Sequence, residues 1–262
     1  MATVTTTLDG AVARIEIDNP PVNALSESVL DALGAAVASA SDDLDVRAIV
    51  LASNGSKAFA AGADLSELEH MLGSREAAES HVALTRRVFG ALRSSPVPFV
   101  AAVQADAVGG GFELALACDV IVAEEQVRVG LPESGLGLIP GAAGTQQLLR
   151  LLGPLFAKKL LMFGTLLGAE EAQRVGLVSE VVPEGQGLER AAAMASRLAR
   201  GSSASLAAIK RVVHEGVLRP DRGEDVERHE FLQLLEGDDA REGCAAFLSK
   251  RRPVFGRRSE GS

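Results

Sequence analysis

The stretch "VGGGFELALACDVIVAEEQVRVGL" (residues 108–131) carries most of the information on the fold. Three glycines run into an apolar helical segment at 111–118, and two short apolar runs, 119–125 and 127–131, follow almost without a gap. Strands that alternate with helices are typical of the α/β class. Two strands this close together favour a ββα repeat over a doubly wound sheet, in which a long crossover separates successive parallel strands.

The alternation of strands and helices continues on both sides of this stretch. Ser26 is predicted to cap a helix, because apolar residues recur at helical spacing after it. Further strands are predicted at 12–18, 46–53 and 97–103, and further helices at 65–72, 76–93, 188–200, 203–215 and 224–236. Two helical runs are expected between 145 and 164, and a short helix followed by a strand in 170–183. We therefore divide the chain into a ββα core, residues 1–200, and a helical C-terminal region, residues 201–262.

The composition excludes several classes of function. The formal net charge is −9 and the pI is near 5.1, so the chain lacks the excess of Lys and Arg that phosphate binding requires. Trp and Tyr are absent, which argues against recognition of stacked bases. We therefore expect no nucleic-acid partner. Cys118 and Cys244 lie far apart without metal-type spacing and resemble the reduced thiols of a cytosolic protein.

No segment of the chain predicts a membrane partner. The N-terminus lacks the basic and apolar regions of a signal peptide. The longest apolar stretch, 148–169, is interrupted by Arg150, Lys158 and Lys159, which argues against a membrane span. We expect a cytoplasmic protein.

Several familiar catalytic motifs are absent. The run "GGGFEL" fails the dinucleotide-binding pattern at Leu114, and no glycine loop continues into a P-loop. Pro132 stands where a nucleophile elbow would need its first glycine. The histidines are scattered, so we expect surface residues and no metal site; they are His70, His81, His214 and His229.

Three glycine-rich stretches are candidates for a binding site: "FAAGADL" (59–65), "VGGGFEL" (108–114) and "LPESGLGLIPGAAGT" (131–145). Glycine before a helix lets another group approach the unpaired backbone N–H donors. Two such donors that converge on one carbonyl oxygen would form an oxyanion hole. Tight turns and close packing of small residues explain any one stretch equally well.

Two carboxylates accompany these glycines. Glu113 stands among apolar residues in the first turn of a helix that is predicted to be buried, and a buried carboxylate without a cation needs a reason. Glu133 is the second, in "LPESG". Two buried carboxylates that share a water can act as base and acid. The spacing in the sequence does not show whether the two lie close together.

With these residues in view, the chain resembles the enoyl-CoA hydratase/isomerase (crotonase) family. The motifs run nearly end to end: "NPPVNALS", "FAAGAD", "GGGFELALACD", "LPESGLGLIPGAAGTQ", "AQRVGLVSEVV" and "DDAREGCAAFLSKRRPVF". The resemblance implies an α/β fold, a spiral of ββα units followed by a helical region that drives trimerisation, and trimers that commonly pair into hexamers.

The resemblance also implies roles for the site residues. The backbone N–H groups of Ala63 and Gly110 match the oxyanion hole that holds the thioester oxygen, and Gly141 matches a glycine that helps to position water. Glu113 and Glu133 match the two catalytic glutamates of family hydratases.

Further positions match the coenzyme A site of the family. Ala61 and Asp64 match positions that line its adenine end. Phe231, Phe247 and Lys250 match positions that close the site, the latter two often from a neighbouring subunit. The alternative is that both phenylalanines are core residues of helices and that the basic tail is solvated.

The implied activity is hydration of a 2-enoyl-CoA, with Glu113 mainly as base and Glu133 as the acid for the α-carbon. No metal or redox cofactor is expected, because CoA is part of the substrate. Alternatives are another reaction of the family (isomerisation, decarboxylation or thioester hydrolysis) and an acyl-CoA-binding protein without turnover. Two departures are Gln147, where many relatives carry Arg, and Ser66, where some carry Lys near the CoA phosphates.

Overall fold

The computed structural model describes residues 2–55 and 57–256 of the 262-residue chain, which form nine strands and ten α-helices. The strands are β1 (Thr3–Asp9), β2 (Val12–Asp18), β3 (Ala48–Ser53), β4 (Phe99–Val103), β5 (Ala107–Val108), β6 (Val120–Glu124), β7 (Arg128–Gly130), β8 (Leu167–Gly168) and β9 (Glu180–Val182). The helices are α1 (Glu27–Asp42), α2 (Leu65–Leu72), α3 (Arg75–Ser94), α4 (Gly110–Ala115), α5 (Gly144–Phe163), α6 (Ala169–Arg174), α7 (Gly187–Ala199), α8 (Ser203–Leu218), α9 (Gly223–Glu236) and α10 (Asp238–Leu248). A 3₁₀ turn, Glu133–Leu136, follows β7.

Six strands form the main sheet, in the order β1-β2-β3-β4-β6-β9. The first two are antiparallel, and each later pair of neighbours is parallel. Every residue of β3 and β4 is buried, so these strands are continuous apolar runs, as a parallel sheet covered on both faces requires. The α/β class predicted from the sequence is confirmed.

Alternate residues of the central strands supply two separate cores. Ile49 and Leu51 join the larger core, which includes side chains of α1 and α3. Val50 points to the other face and joins a smaller core against Ala191 and Ala195 of α7. Because successive side chains of a strand point to opposite faces, one strand contributes to both cores.

The second sheet, in the order β5-β7-β8, aligns the segments that lead into the glycine-rich stretches. β5 and β7 are parallel, and Ala60 forms an isolated parallel bridge with Ala107. The carboxyl ends of three neighbouring extended segments therefore meet at one edge, which is where ligands bind in open α/β sheets. Each glycine-rich stretch contains one of these ends or begins directly after it.

The last three helices extend the core. Lys210 of α8 holds that helix on the core, because its Nζ donates to Asp119 Oδ2 at 2.7 Å and to the carbonyls of Leu92 and Val97 at 3.3 and 3.0 Å. α9 packs chiefly on α8 and α10. In the described part of the chain, no helix is long and apolar enough to cross a membrane. The division at residue 200 into a core and a helical region stays a prediction, and its last six residues, 257–262, lie outside the described residues.

Some elements differ from the sequence prediction. β1 was not predicted, because most of its residues are exposed and no apolar alternation marks it. The two helical runs expected after residue 145 are confirmed, because α5 consists of two helical parts joined at Gly153, whose φ of +74° and ψ of 168° are not helical. The prediction that all four histidines lie on the surface was wrong, because α3 turns His81 inward and leaves it 8% exposed.

Candidate active site

The first part of the site is a pair of backbone amides from two glycine-rich stretches. Gly62 has φ +88°, and a Cβ built on it would lie 3.0 Å from the Gly110 nitrogen. A Cβ on Gly110 would lie 3.7 Å from the Ala63 nitrogen. In the part of the chain that the structure describes, neither the Ala63 nor the Gly110 N–H donates to a backbone carbonyl. Two free donors this close together can bind one carbonyl oxygen.

The third glycine of the run, Gly111, brings the two stretches together. A Cβ on this residue would lie 1.8 Å from the Ala60 carbonyl oxygen, a distance that no side chain can occupy. Val108 also donates to that oxygen at 3.3 Å, and Gly109 donates to the Gly130 carbonyl at 2.9 Å. The glycine at 111 is therefore a steric requirement for the convergence of the site.

Glu113 lies on α4 and is 5% exposed. Its Oε1 accepts hydrogen bonds from the N–H groups of Ala142 at 2.8 Å and Gly144 at 2.6 Å. Gly144 is the first residue of α5, so the carboxylate also sits at the positive end of a long helix. A Cβ on Gly144 would lie 2.8 Å from the same oxygen, so only glycine permits this contact.

Opposing effects set the protonation of Glu113. Burial raises the pKa of its carboxyl group, which is the largest effect. The hydrogen bonds from Gly144 and Ala142 lower the pKa, as do the Arg93 guanidinium and, most weakly, the Gly141 N–H. The donors that reach the carboxylate favour its ionised form, which is the form that can accept a proton.

Glu133 lies in the 3₁₀ turn after β7, with its carboxyl group over Gly109. A Cβ on Gly109 would lie 3.1 Å from Glu133 Oε1, and the Gly109 carbonyl accepts the Glu113 N–H at 3.0 Å. Gly109 therefore contacts both glutamates, through the carboxyl group of Glu133 and the backbone N–H of Glu113. Glu133 Oε2 is buried and has no hydrogen-bond partner among the described residues. An unpaired polar atom of this kind is available to a ligand or a water.

Burial raises the pKa of Glu133 to about 7, and the negative charge of Glu113 acts in the same direction. The charge of Glu113 acts on Glu133, so the two carboxyl groups titrate as a coupled pair. Carboxyl groups whose environments push them into opposite protonation states can act as an acid and a base toward one ligand.

The remaining predicted residues of the core lie around this pair. Gly141 is in the loop that supplies the amides to Glu113, and a Cβ on it would lie 3.9 Å from the side chain of Val82. Asp64 caps α2, where its Oδ1 accepts from the Ser66 N–H at 2.9 Å and from its hydroxyl at 2.5 Å. The Ser66 hydroxyl and N–H lower the pKa of Asp64. Ala61 is exposed and lies two residues before Ala63 in the chain.

The predicted CoA-site residues near the C-terminus lie on or just after α9 and α10. α9 packs chiefly on α8 and α10, and not on the elements that carry Glu113 and Glu133. Phe231 on α9 is 60% exposed, and Phe247 on α10 is 83% exposed. Lys250 follows α10 and is also exposed. The alternative that these phenylalanines are core residues was wrong. Their role in closing a CoA site stays a prediction.

Sequence reasoning missed three contributors to the site. The amides of Ala142 and Gly144 carry no side-chain signal, although "GAAGT" before an apolar helix indicates an accessible N-terminus. Asn23 is buried and donates to the carbonyls of Asn54 and Ala58 at 2.8 and 3.0 Å, which ties the "NPPVNALS" turn to the first glycine-rich stretch. Because Asn is common in turns, its position in a proline-rich turn did not indicate a role in the site.

Comparisons with known proteins identify the family of the chain. The family model described as enoyl-CoA hydratase/isomerase matches residues 7–258. A protein named "probable enoyl-CoA hydratase" of Bacillus subtilis (strain 168) is 36% identical over 260 residues, 97% of this chain and 99% of that protein. The 2,3-dehydroadipyl-CoA hydratase of Escherichia coli (strain K12) is 39% identical over 239 residues, 89% of this chain and 90% of that protein. A crystal structure of an enoyl-CoA hydratase from Bacillus anthracis matches with a TM-score of 0.91 and 32% identity, covering 96% of this chain and 98% of that one. The predicted crotonase-like fold is confirmed.

Proposed function

The chain belongs to the enoyl-CoA hydratase/isomerase family, and from this membership we propose that it is a 2-enoyl-CoA hydratase. The proposed reaction adds water across the 2,3 double bond of a 2-enoyl-CoA and yields a 3-hydroxyacyl-CoA. The observation that carries the proposal is the glutamate pair: the carboxylate of Glu113 accepts hydrogen bonds from two amides, and Glu133, whose pKa is raised to about 7, can hold a proton near neutral pH.

The thioester carbonyl binds to the N–H groups of Ala63 and Gly110 in this proposal. As water adds to the β-carbon, the electron pair of the double bond moves toward the carbonyl and forms an enolate. The two amides stabilise the negative charge on its oxygen, and one donor of this kind contributes about 3–4 kcal/mol in other enzymes. Their support is that a Cβ on Gly62 would lie 3.0 Å from the Gly110 nitrogen and a Cβ on Gly110 would lie 3.7 Å from the Ala63 nitrogen, so the two N–H groups lie close together.

The two carboxyl groups carry out the proton transfers in this proposal. Glu113 takes a proton from the attacking water, and the resulting hydroxyl group bonds to the β-carbon. Glu133 gives its proton to the α-carbon as the enolate collapses. Glu113 then releases its proton to solvent and Glu133 takes one up, which restores the starting state. The chemistry moves protons and one electron pair, so we propose that neither a metal nor a redox cofactor takes part and that CoA enters only with the substrate.

Purified protein with crotonyl-CoA and longer 2-enoyl-CoAs provides the test, read by mass spectrometry as a gain of one water. Glu113→Gln and Glu133→Gln should each reduce hydration about 10²–10⁴-fold, the usual contribution of general acid–base catalysis. The double variant should lose much less than the product of the two, because the residues act as a unit.

Glu170→Gln, an exposed glutamate on α6, is the matched control and should keep wild-type turnover. Movement of the double bond without a gain of water, with Glu113 dispensable, would indicate an isomerase instead. Binding of the thioester without any product would indicate an acyl-CoA-binding protein.

We also propose a homo-oligomer, a trimer or a dimer of trimers, in the cytoplasm. Large apolar side chains are exposed on α5, α9 and α10 of the single chain, which is typical of a surface that another subunit covers. They include Leu155, Phe163, Phe231, Phe247 and Leu248. In such an assembly, Phe247 and Lys250 would reach the CoA of a neighbouring subunit. Light scattering measures the number of subunits, and an active monomer would contradict this arrangement.

A further inference from the structure

The Ala63 N–H, one of the two proposed oxyanion donors, belongs to a peptide group whose carbonyl is itself hydrogen-bonded. That carbonyl is the one of Gly62, and it accepts the Leu25 N–H at 2.7 Å. We propose that Leu25 is a positioning residue, which acts through its backbone N–H to orient and polarise the Ala63 N–H toward the thioester oxygen. The inference deepens the proposed function and rests on it for the task of the Ala63 N–H.

The planarity of the peptide group carries the effect of this hydrogen bond to Ala63. In a trans peptide the C=O and N–H groups lie in one plane and point in opposite directions. A donor that holds the Gly62 carbonyl therefore also sets the direction of the Ala63 N–H. Hydrogen bonds in a chain polarise one another, so a peptide whose carbonyl accepts a bond is a stronger donor at its N–H. A donor that is oriented in advance stabilises a developing oxyanion without reorganisation during the reaction.

The other proposed oxyanion donor is backed in the same way, by its own helix. The Gly110 N–H shares its peptide group with the Gly109 carbonyl. That carbonyl accepts the N–H groups of Phe112 and Glu113, at 2.9 and 3.0 Å, in the first turn of α4. The start of α4 therefore orients this donor, whereas the Ala63 donor depends on a segment from elsewhere in the chain.

Asn23 holds the turn from which Leu25 donates. It is buried, and its Nδ2 donates to the carbonyls of Asn54 and Ala58 at 2.8 and 3.0 Å. Its Oδ1 accepts the Asn19 N–H at 2.8 Å. Its φ of +53° lies in the left-handed region, which Asn adopts more readily than most residues. One side chain thus fixes the turn two positions before the donor.

A second backbone hydrogen bond aligns the turn with the oxyanion segment. The Ala61 N–H donates to the Val22 carbonyl at 3.1 Å, just before Asn23, and the Leu25 N–H donates to the Gly62 carbonyl just after it. The two bonds run in opposite directions between the segments. A displacement of the turn would therefore be passed directly to the peptide group that carries the Ala63 N–H.

Replacement of Leu25 with leucic acid, its α-hydroxy analogue, tests the proposal, because the resulting ester keeps the side chain and removes the N–H. The probe is butanoyl-CoA with ¹³C at the thioester carbonyl, a saturated ligand that cannot be hydrated, and infrared difference spectroscopy measures its C=O stretch. Binding to the wild type should move the stretch to lower wavenumber, and this shift should be smaller in the Leu25 ester. The kcat for hydration should fall about 2- to 13-fold, the contribution of one neutral hydrogen bond, with a smaller change in KM.

The same ester at Leu177 is the matched control. Leu177 is as buried as Leu25, with exposed fractions of 3% and 2%, and its N–H donates to the Ala172 carbonyl at 2.8 Å. This variant should lose a similar amount of stability, yet keep the wild-type carbonyl shift and kcat. Asn23→Gly is a second variant, because glycine tolerates the left-handed backbone while the side-chain hydrogen bonds are lost. It should reduce the carbonyl shift in the same direction as the Leu25 ester.

The outcomes separate a positioning role from a structural one. Equal losses of the carbonyl shift in the Leu25 and Leu177 esters would overturn the proposal. So would a wild-type shift in the Leu25 ester or, if that ester does not fold, in Asn23→Gly. The absence of any shift in the wild type would overturn both this proposal and the oxyanion hole. If the shift depends on Leu25 but the wild type hydrates no enoyl-CoA, the positioning role stands and the proposed hydration fails.

Discussion

Replacing Gly144 with Ala places a methyl group against the carboxylate that acts as the proposed base. The added Cβ would lie 2.8 Å from Glu113 Oε1, 2.9 Å from Glu113 Cγ and 2.8 Å from Leu131 Cδ1. Ordinary contacts begin near 3.4 Å, so the carboxylate must retreat by about 0.6 Å. Its hydrogen bonds from Gly144 and Ala142, now 2.6 and 2.8 Å long, would then lie near or beyond the usual limit.

The expected loss follows from those two bonds. A hydrogen bond to a charged group contributes about 1.5–3 kcal/mol, which corresponds to roughly a 10- to 150-fold decrease in kcat if one of them is lost. The acid limb of the pH–rate profile should also move to higher pH. The Gly144 hydrogen bond lowers the pKa of Glu113, so weakening it raises that pKa. Overpacking against Leu131 should cost about 1–3 kcal/mol of the free energy of unfolding.

The assay combines hydration rates from pH 5 to 9 with thermal unfolding. Gly90→Ala on α3 is the control, because no atom lies within 4 Å of its Cβ position and it is remote from the proposed chemistry. That variant should keep the wild-type kcat and profile. If Gly144→Ala folds and retains both the wild-type kcat and the wild-type acid limb, the contact between Gly144 and Glu113 does not support the base.

Three further predictions concern stability. Burial raises the folded-state pKa of Glu133 to about 7, so the ionised carboxylate destabilises the fold above that pH. This cost disappears as the pH falls toward the ordinary pKa of a glutamate. The gain in melting temperature of Glu133→Gln over the wild type should therefore be larger at pH 8 than at pH 5, and equal gains would contradict this. Gly111→Ala should abolish soluble folded protein, because its Cβ would lie 1.8 Å from the Ala60 oxygen, and circular dichroism of a normally folded variant would refute the steric argument. Ala143 has φ +83°, so Ala143→Gly should raise the melting temperature by about 1–3 °C through relief of left-handed strain, and calorimetry that shows a lower value would locate the strain elsewhere.

Local pattern was enough to predict most of the secondary structure. The apolar runs of β3, β4 and β6 identify buried parallel strands, because a strand covered on both faces has no polar side to interrupt it. The burial of Glu113 followed from the apolar residues around it. β1 escaped prediction for the opposite reason: its exposed threonines carry no periodic signal, and pairing with β2 alone makes it a strand.

The residues of the site were foreseen through a family pattern, whereas their geometry depends on contacts that the pattern does not contain. Glu113 and Glu133 are separated by two strands in the chain, yet the backbone N–H of Glu113 and the carboxyl group of Glu133 both lie at Gly109, because β5 and β7 run parallel and end at one edge. The protonation of each then depends on groups from other elements: the amides of Ala142 and Gly144 for one, and the charge of Glu113 for the other.

The sequence by itself therefore determined most of the strands, which helices are buried and which carboxylates could carry out chemistry, since these follow from the local alternation of apolar and polar residues. Only the tertiary structure decided that Gly144 donates to Glu113, that His81 is buried and that Lys210 joins the end of α3 to Asp119. Hydrogen bonds and Coulomb interactions act over a few ångströms in space. Residues that are far apart in the chain come within that range only when the sheet and its helices have packed.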